Sequence, residues 1–469
     1  MNRVKRITGL VLSVFFIPAI AYVSFLLAAE YRFQQDAPEA DFPAPADQAE
    51  ARAQDLEHFA LFFELERSWT PESLGAARRL FKALQDQAGT MSDAAFEMAI
   101  ARIVATADNA HSKIREYSRT PRFNRLPIRG HWFAEGYYFI RAYTGYEDLL
   151  GQQLVAIEGH DLSQVMDMLG DYIGGNMQTR RKYAPYLLES PALMHAAGLV
   201  GNAESMTVTL RQLDGTKTDV HFGGPFPPSS EQLGRSHQLL VPAVFSESEP
   251  GWSSVLDTEI ELPTYLSTVF DGFHMSYIDD LNAAYVQFWT NNDYGDRSIS
   301  KFCADALEFS AADNVSMIVL DHRFNGGGNM MRTQSCMEKF GHLANSGKPL
   351  YIAVSGPTFS AGMASAGFAK TVAGENAVII GETMGDYLQS WGEDQLLRLP
   401  NSEIEIRFAR GMHDLQNGCT DWKKCYWRTM YHDVRLSSNH PEIEAPHTFS
   451  DYLNLRDPVL EKIRAIMSQ

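Results

Sequence analysis

The stretch Val319–Asn329, VLDHRFNGGGN, constrains the fold of this 469-residue chain more than any other. Ser316–Leu320 reads as a buried strand ending at Asp321, and it runs straight into three glycines. Glycines there allow positive φ and close backbone approach, so main-chain N–H groups can line a pocket at the strand end. Around it, AAYVQFW, Leu350–Val354 and Ala377–Ile380 read as further strands, and Ser300–Phe309 and AGMASAGFAKTV as helices. This alternation predicts βαβ units and an α/β fold with a covered sheet from about Asp271 onward. A phosphate cradle is a rival reading of the glycines, but no Gly-Lys-Ser/Thr follows and the Gly-x-Gly-x-x-Gly spacing is absent. A plain tight turn is the other.

Upstream, residues 51–124 carry helical periodicity, with Ser92 as a cap before DAAFEMAIARIVATA. Residues 125–225 read as a strand-rich module with one or two helices. It has strands paired around Glu135-Gly136, a strand at Leu154–Ile157, a turn at Gly159, and a hairpin turning at Asp214-Gly215. GGPFPPSS after it reads as a linker. Residues 30–50, acidic and holding Pro38, Pro43 and Pro45, read as an extended spacer.

Residues 1–29 begin with Arg3, Lys5 and Arg6 and continue as an uncharged apolar run, Ile7–Ala29. As a helix this run spans about 34 Å, enough for a bilayer core of about 30 Å. The preceding cations place the rest of the chain on the far side of the membrane. A signal anchor and a secretory signal cut after Ala19-Ile20-Ala21 both fit, and both export the body. The formal charge of −18 argues against nucleic acid as a partner. Four cysteines exclude a disulfide scaffold. In an exported chain, Cys419 with Cys425 and Cys303 with Cys336 are expected as disulfides, and zinc at His413, Cys419, Cys425 and His432 is the lesser reading.

Three places could carry chemistry. Ser360 lies between a strand-ending Gly356-Pro357 turn and a small-residue helix. There the helix N-terminus and the Ala361 N–H favour negative charge, although an ordinary N-cap would look the same. Ser365 is a weaker candidate one turn on. His111, in ATADNAHSKI, is a candidate base, against the commoner structural role of a lone histidine. The glycines Gly326, Gly327 and Gly328 are the third place.

The order of these features, from Asp-x-x-His through LLGQQLVAIEG, YVQF, DHRFNGGGN, GPTFSAG and VIIGETMG to PEIEAP and DYLNLRDPVLEKI, resembles the tail-specific protease family, the C-terminal processing peptidases. The closer likeness is to the branch with the tricorn core protease and interphotoreceptor retinoid-binding protein. The resemblance implies a crotonase-like (ClpP-like) α/β catalytic core over 226–469, an inserted PDZ-like module over 125–225 and the N-terminal helical segment over 51–124. It implies a serine-type peptidase acting on polypeptides without metal or organic cofactor. Ser360 falls on the nucleophile, and Gly326–Gly328 with Ala361 fall on the oxyanion hole. The Ser/Lys branch has its lysine about 25 residues after the serine. Here that window reads ETMGDYL, and Lys370 lies ten residues on. The tricorn-like branch instead has a His before the PDZ-like module, where His111 stands. Two positions depart from the pattern: Ala110 stands for a serine before the histidine and Met363 for a glutamate after the nucleophile. For the orienting acid, Asp433 is the nearest before HPEIEAP, with Glu442 and Glu444 just beyond. These departures motivate the alternative of an apolar-ligand- or peptide-binding protein on the same scaffold.

Overall fold

The computed structural model describes residues 24, 26–119, 121–226, 238–242, 251–432 and 434–468. Most of the leader, half of the GGPFPPSS linker and Asp433 lie outside the described residues. Among the described residues no helix is long and apolar enough to cross a membrane.

Three helices carry the N-terminal region: α1 Gln48–Phe59, α2 Pro71–Gln85 and α3 Asp93–Ala105. Each starts on a residue that caps it, since Asp47, Thr70 and Ser92 accept N–H bonds from Glu50, Ser73 and Ala95. Their apolar faces, including Leu56, Phe59, Leu84, Phe96 and Val104, pack against Ile114, Leu397, Ile406 and Phe408. The last four belong to a small sheet that joins β1 Lys113–Ile114 to residues nearly three hundred positions later.

The next sheet is seven-stranded, with β2 Ile128–Phe133, β3 Gly136–Tyr143, β4 Gln153–Ile157, β5 His160–Asp161, β6 Ser205–Arg211, β7 Lys217–Gly223 and β8 Trp252–Ser254. The β2–β3 and β6–β7 hairpins form where the Glu135-Gly136 and Asp214-Gly215 turns placed them. Helices α4 Leu162–Leu169 and α5 Met177–Tyr183 are joined by two shorter ones, Pro185–Leu188 and Pro191–Ala196. The expectation of one or two helices was too low, because these proline-started turns are too short to show a helical period. Strand β8 returns to pair with β3 from beyond residue 225.

The third sheet has the order β18-β13-β12-β11-β10-β9. Its strands are β9 Phe273–Ile278, β10 Ala283–Phe288, β11 Met317–Asp321, β12 Leu350–Val354, β13 Ala377–Gly381 and, after the short strands named below, β18 Ile443–Glu444. All neighbours are parallel except β9 with β10. The crossovers are α6 Ile299–Ala311, α7 Gln334–Asn345 and α8 Ala361–Ala373. On one face Val286, Ile318, Leu320, Ile352 and Val354 pack against Phe302, Met337, Phe340 and Phe368 from these helices. The other face, with Tyr285, Val319 and Ala353, is covered by Val459, Leu460 and Ile463 of α9 Pro458–Met467. Strand β11 is therefore buried at every position, which is why it reads as an unbroken apolar run.

Between β13 and β18 the chain makes β14 Gln389–Gly392, β15 Gln395–Arg398, β16 Glu405–Phe408 and β17 Gly411–Asp414. β15 and β16 pair with each other, and β16 pairs with β1; β14 pairs with β17. Both expected disulfides are formed. No cluster of three metal-capable side chains occurs among the described residues. Residues 30–50 differ from the spacer reading. The stretch before α1 has little regular structure, yet it lies on the body: Phe33 is buried against Tyr426, and Gln54 donates to the Pro43 carbonyl.

Candidate active site

Ser360 stands where β12 turns into α8. The turn is stapled to the end of β11: Thr358 Oγ1 donates to His322 O at 2.8 Å, and Phe359 N to Asn325 O at 2.9 Å. The turn closes on itself through Ser355 N, which donates to Thr358 Oγ1 at 2.9 Å. Ser360 itself sits at φ 54°, ψ −125°, a region that a residue with a Cβ rarely enters, and its side chain makes no capping bond. The N-cap alternative therefore fails. A serine held in a strained strand-to-helix turn exposes its hydroxyl at the sheet's end, as in a nucleophile elbow. Ser365 is a core residue, buried and bonded to Asn291 and Thr333.

The glycine loop faces this turn. A side chain at Gly327, at φ +102°, would meet Ser360 Cβ at 2.9 Å and Ala361 N at 3.1 Å. One at Gly362 would meet Asn325 O at 2.3 Å. Both glycines are there so that two backbones can touch. Asn325 organises the loop. Its Oδ1 accepts from Gly327 N at 3.0 Å, and its Nδ2 donates to Asn291 Oδ1 at 2.8 Å and to His322 Nδ1 at 3.2 Å. The Gly327 N–H is thereby committed, whereas Gly326 and Gly328 line the cleft with Ser360.

His111 arrives from the loop after α3. Buried polar bonds hold that loop: Ser112 Oγ donates to Glu66 Oε2 at 2.5 Å, Asn109 Nδ2 to Ser112 Oγ at 2.9 Å, and Trp391 N to Asn109 Oδ1 at 3.2 Å. Burial raises the Glu66 carboxyl above its ordinary range, against four hydrogen bonds that lower it. The His111 ring stacks on Phe359, the residue before Ser360, with centroids 4.4 Å apart. Its Nδ1 faces Asp386 Oδ2 at 3.5 Å. Both atoms are buried, and neither has another polar partner among the described residues. No hydrogen bond joins His111 to Ser360 Oγ; such bonds often tighten only with substrate.

The cleft that His111, Phe359 and Ser360 share encloses about 680 Å³. Its charges come in pairs, with Lys113 facing Glu116 at 3.4 Å and Arg407 bonded to Asp394. Burial pulls the Lys113 ammonium below its ordinary value, with Glu116 opposing. Burial would raise Asp394, but His111, Arg407 and Lys113 outweigh it and hold the carboxyl low. A side cavity of about 230 Å³ adjoins Ser360, with Met330, Met331, Met363 and Leu415 on its wall.

The chain shares its fold with mature CPAF. The solved structure of mature CPAF gives a TM-score of 0.54 at 13% identity over 89% of this chain and 96% of that one. A complex of mature CPAF with lactacystin gives 0.54 at 12%, over 89% and 97%. The photosystem II D1 C-terminal processing protease is also similar, with a TM-score of 0.32 at 13% identity over 83% and 92%. The last of these is by its name a C-terminal processing protease, as are the members of the family that the motif order resembles. No family model and no curated protein matches the chain.

Of the residues singled out in the sequence, the structure gathers Ser360, His111, Gly326, Gly328 and Ala361 around one cleft or its rim, with Gly327 behind them. Lys370 is tied to Glu442 at 2.9 Å, so neither is free for this site, and Glu444 sits on β18. His413 pairs with Glu393 at 3.4 Å in the side cavity. Asp386, which faces His111, is not singled out by the sequence: it lies in ETMGDYL, and an acid there gains meaning only from that contact.

Proposed function

We propose that this chain is an exported serine-type peptidase with Ser360 as nucleophile, His111 as general base and Asp386 as the orienting acid. The observation that carries the reading is the placement of His111. Its ring lies against the residue preceding Ser360 while its Nδ1 meets a buried carboxylate otherwise unpartnered at Oδ2. In this reading Asp386 holds Nδ1 protonated and leaves Nε2 to take the Ser360 proton as Oγ attacks the scissile carbonyl. The tetrahedral oxyanion rests against the Ala361 N–H and that of Gly328 or Gly326. His111 returns the proton to the leaving amine, and water then releases the acyl group by the reverse proton path. Asp386 replaces Asp433 in this role, and it removes the missing acid that had favoured a binding protein.

The same reading takes residues 226–469 as the crotonase-like catalytic core and 125–225 as a PDZ-like module that presents polypeptide ends. The two disulfides fit an oxidising compartment. Intact-mass labelling with a fluorophosphonate tests it without a guessed substrate. One adduct is expected on the parent, none on Ser360→Ala, and much slower labelling of His111→Ala and Asp386→Asn. Labelling indifferent to His111 rejects the base. No adduct on folded protein rejects the peptidase in favour of ligand binding on the same fold.

A further inference from the structure

We propose that the end of the leader and the loop closed by Cys419–Cys425 form one face that docks on an anionic lipid surface. Residues 26–33 are helical, and Leu27 and Tyr31, one turn apart, are each 67% exposed. The disulfide loop meets this helix directly. Arg32 Nη2 donates to Lys423 O at 2.6 Å, and its guanidinium lies 5.7 Å from the centre of the Trp422 ring. Glu30 fixes the other side by accepting from Trp427 Nε1 at 2.7 Å and pairing with Arg428 at 3.4 Å. Phe33, buried beside Tyr426, locks the two segments into one unit.

What this unit shows to the outside is unusual for an acidic chain. Trp422 is 65% exposed and Tyr431 72%, and the Tyr431 ring packs edge-on to Trp427 at 6.3 Å. Arg32, Lys423, Lys424 and Arg428 stand among them in a chain of net charge −18. Isolated exposed apolar residues mean little, but this set is continuous in space with the end of the 23-residue apolar run Ile7–Ala29. Exposed Trp and Tyr with Arg and Lys, next to the end of an apolar sequence run, is the composition of a membrane–water interface. Long cationic side chains there reach the phosphates while their stems stay in the apolar layer. A protein partner would not require the leader to end at the patch; a bilayer does. The disulfide matters because it holds the tip Trp422-Lys423-Lys424 in a tight loop, with Lys424 N and Cys425 N both donating to Asp421 O.

The test uses the full chain in phosphatidylcholine vesicles, with and without phosphatidylglycerol, containing lipids brominated near the top of the acyl chain. The difference in emission between the parent and Trp422→Phe isolates Trp422. That component is expected to be blue-shifted and quenched by bromine. The double variant Lys423→Glu, Lys424→Glu is expected to lose the quenching on anionic vesicles while the leader stays inserted. A Trp422 component that emits as in water and escapes bromine overturns the proposal. So does shielding that depends on protein concentration and not on lipid, which assigns the face to a second copy. Since Trp422 is exposed, its substitution leaves the core intact, and the mass of the Cys419–Cys425 disulfide reports the loop.

Discussion

Ser360 holds a backbone conformation that costs roughly 1–3 kcal/mol for a residue with a side chain. Glycine carries no such penalty, so Ser360→Gly is expected to raise the unfolding free energy by about that amount while abolishing fluorophosphonate labelling. Urea denaturation of the two proteins checks it, and an unchanged or lower midpoint would show that the turn is relaxed. Asp386→Asn keeps the volume of the side chain but offers His111 Nδ1 the wrong tautomer, so turnover should fall by about 10³–10⁴-fold with the fold retained. His322 gives a pH dependence. Burial pushes its imidazole down to about 4, and its neutral Nδ1 accepts from the Asn325 amide that holds Gly327. Between pH about 6.5 and about 4 the unfolded chain takes up a proton that the folded one refuses. Stability therefore rises with pH through that window and is lost as pH falls through it, by about 3 kcal/mol. His322→Gln, which cannot titrate, should reduce the change in urea midpoint between pH 7 and pH 4, the remainder coming from other buried histidines such as His447, which burial pushes down to about 3. Ser360 and His111 were singled out by the order of motifs, since each alone reads as an N-cap or a structural histidine. Asp386 was not, since its meaning comes from a contact spanning the chain from position 111 to 386.

Strands β10 to β13 and helices α6 and α8 were visible in the sequence because burial on both faces makes a strand uniformly apolar. Helix α7 was not, since TQSCMEKFGHLAN mixes polar and apolar residues and its buried side, Cys336, Met337, Phe340 and Ala344, is one narrow stripe. Strands β14 to β17 are four residues each, too short for a period, and they exist because they pair with one another or with β1. The Asp321-His322-Arg323 string does structural work at the end of β11. Arg323 bridges Asp321 at 2.7 Å and Asp457 at 2.8 Å, with all three side chains nearly inaccessible. Asp457 also caps α9 by accepting from Val459 N and Leu460 N. One guanidinium thus ties the glycine-loop strand to the C-terminal helix. Arg323→Met strands two buried carboxylates, with an expected loss of about 3–5 kcal/mol measured by urea denaturation. The double exchange Arg323→Met with Asp457→Asn should recover part of it, because only one charge is then left unpaired.

Contacts between segments nearly three hundred positions apart build the site. His111 comes to lie against Phe359, beside Ser360, because β1, starting at Lys113, pairs with β16 at Arg407 and Ile406, while the loop before it bonds Trp391. The segment before α1 joins these contacts from the other side: Glu30 and Gln34 line the side cavity that Ser360 also lines, and Phe33 anchors them. A polar, proline-bearing segment gives no sequence sign of such packing, because one buried phenylalanine does not make a period. If the segment is a wall of the site, Phe33→Ala should cost about 3–5 kcal/mol, as for other fully buried phenylalanines. The urea midpoint should fall with the slope unchanged, and fluorophosphonate labelling of Ser360 should change rate at denaturant-free stability. If the unfolding free energy changes by less than about 0.5 kcal/mol, the segment is a tether lying on the surface. The cavity beside Ser360 would then be formed by α8, β14, β17, the residues after Gly328, and Glu393, Leu415, Tyr426 and Arg428.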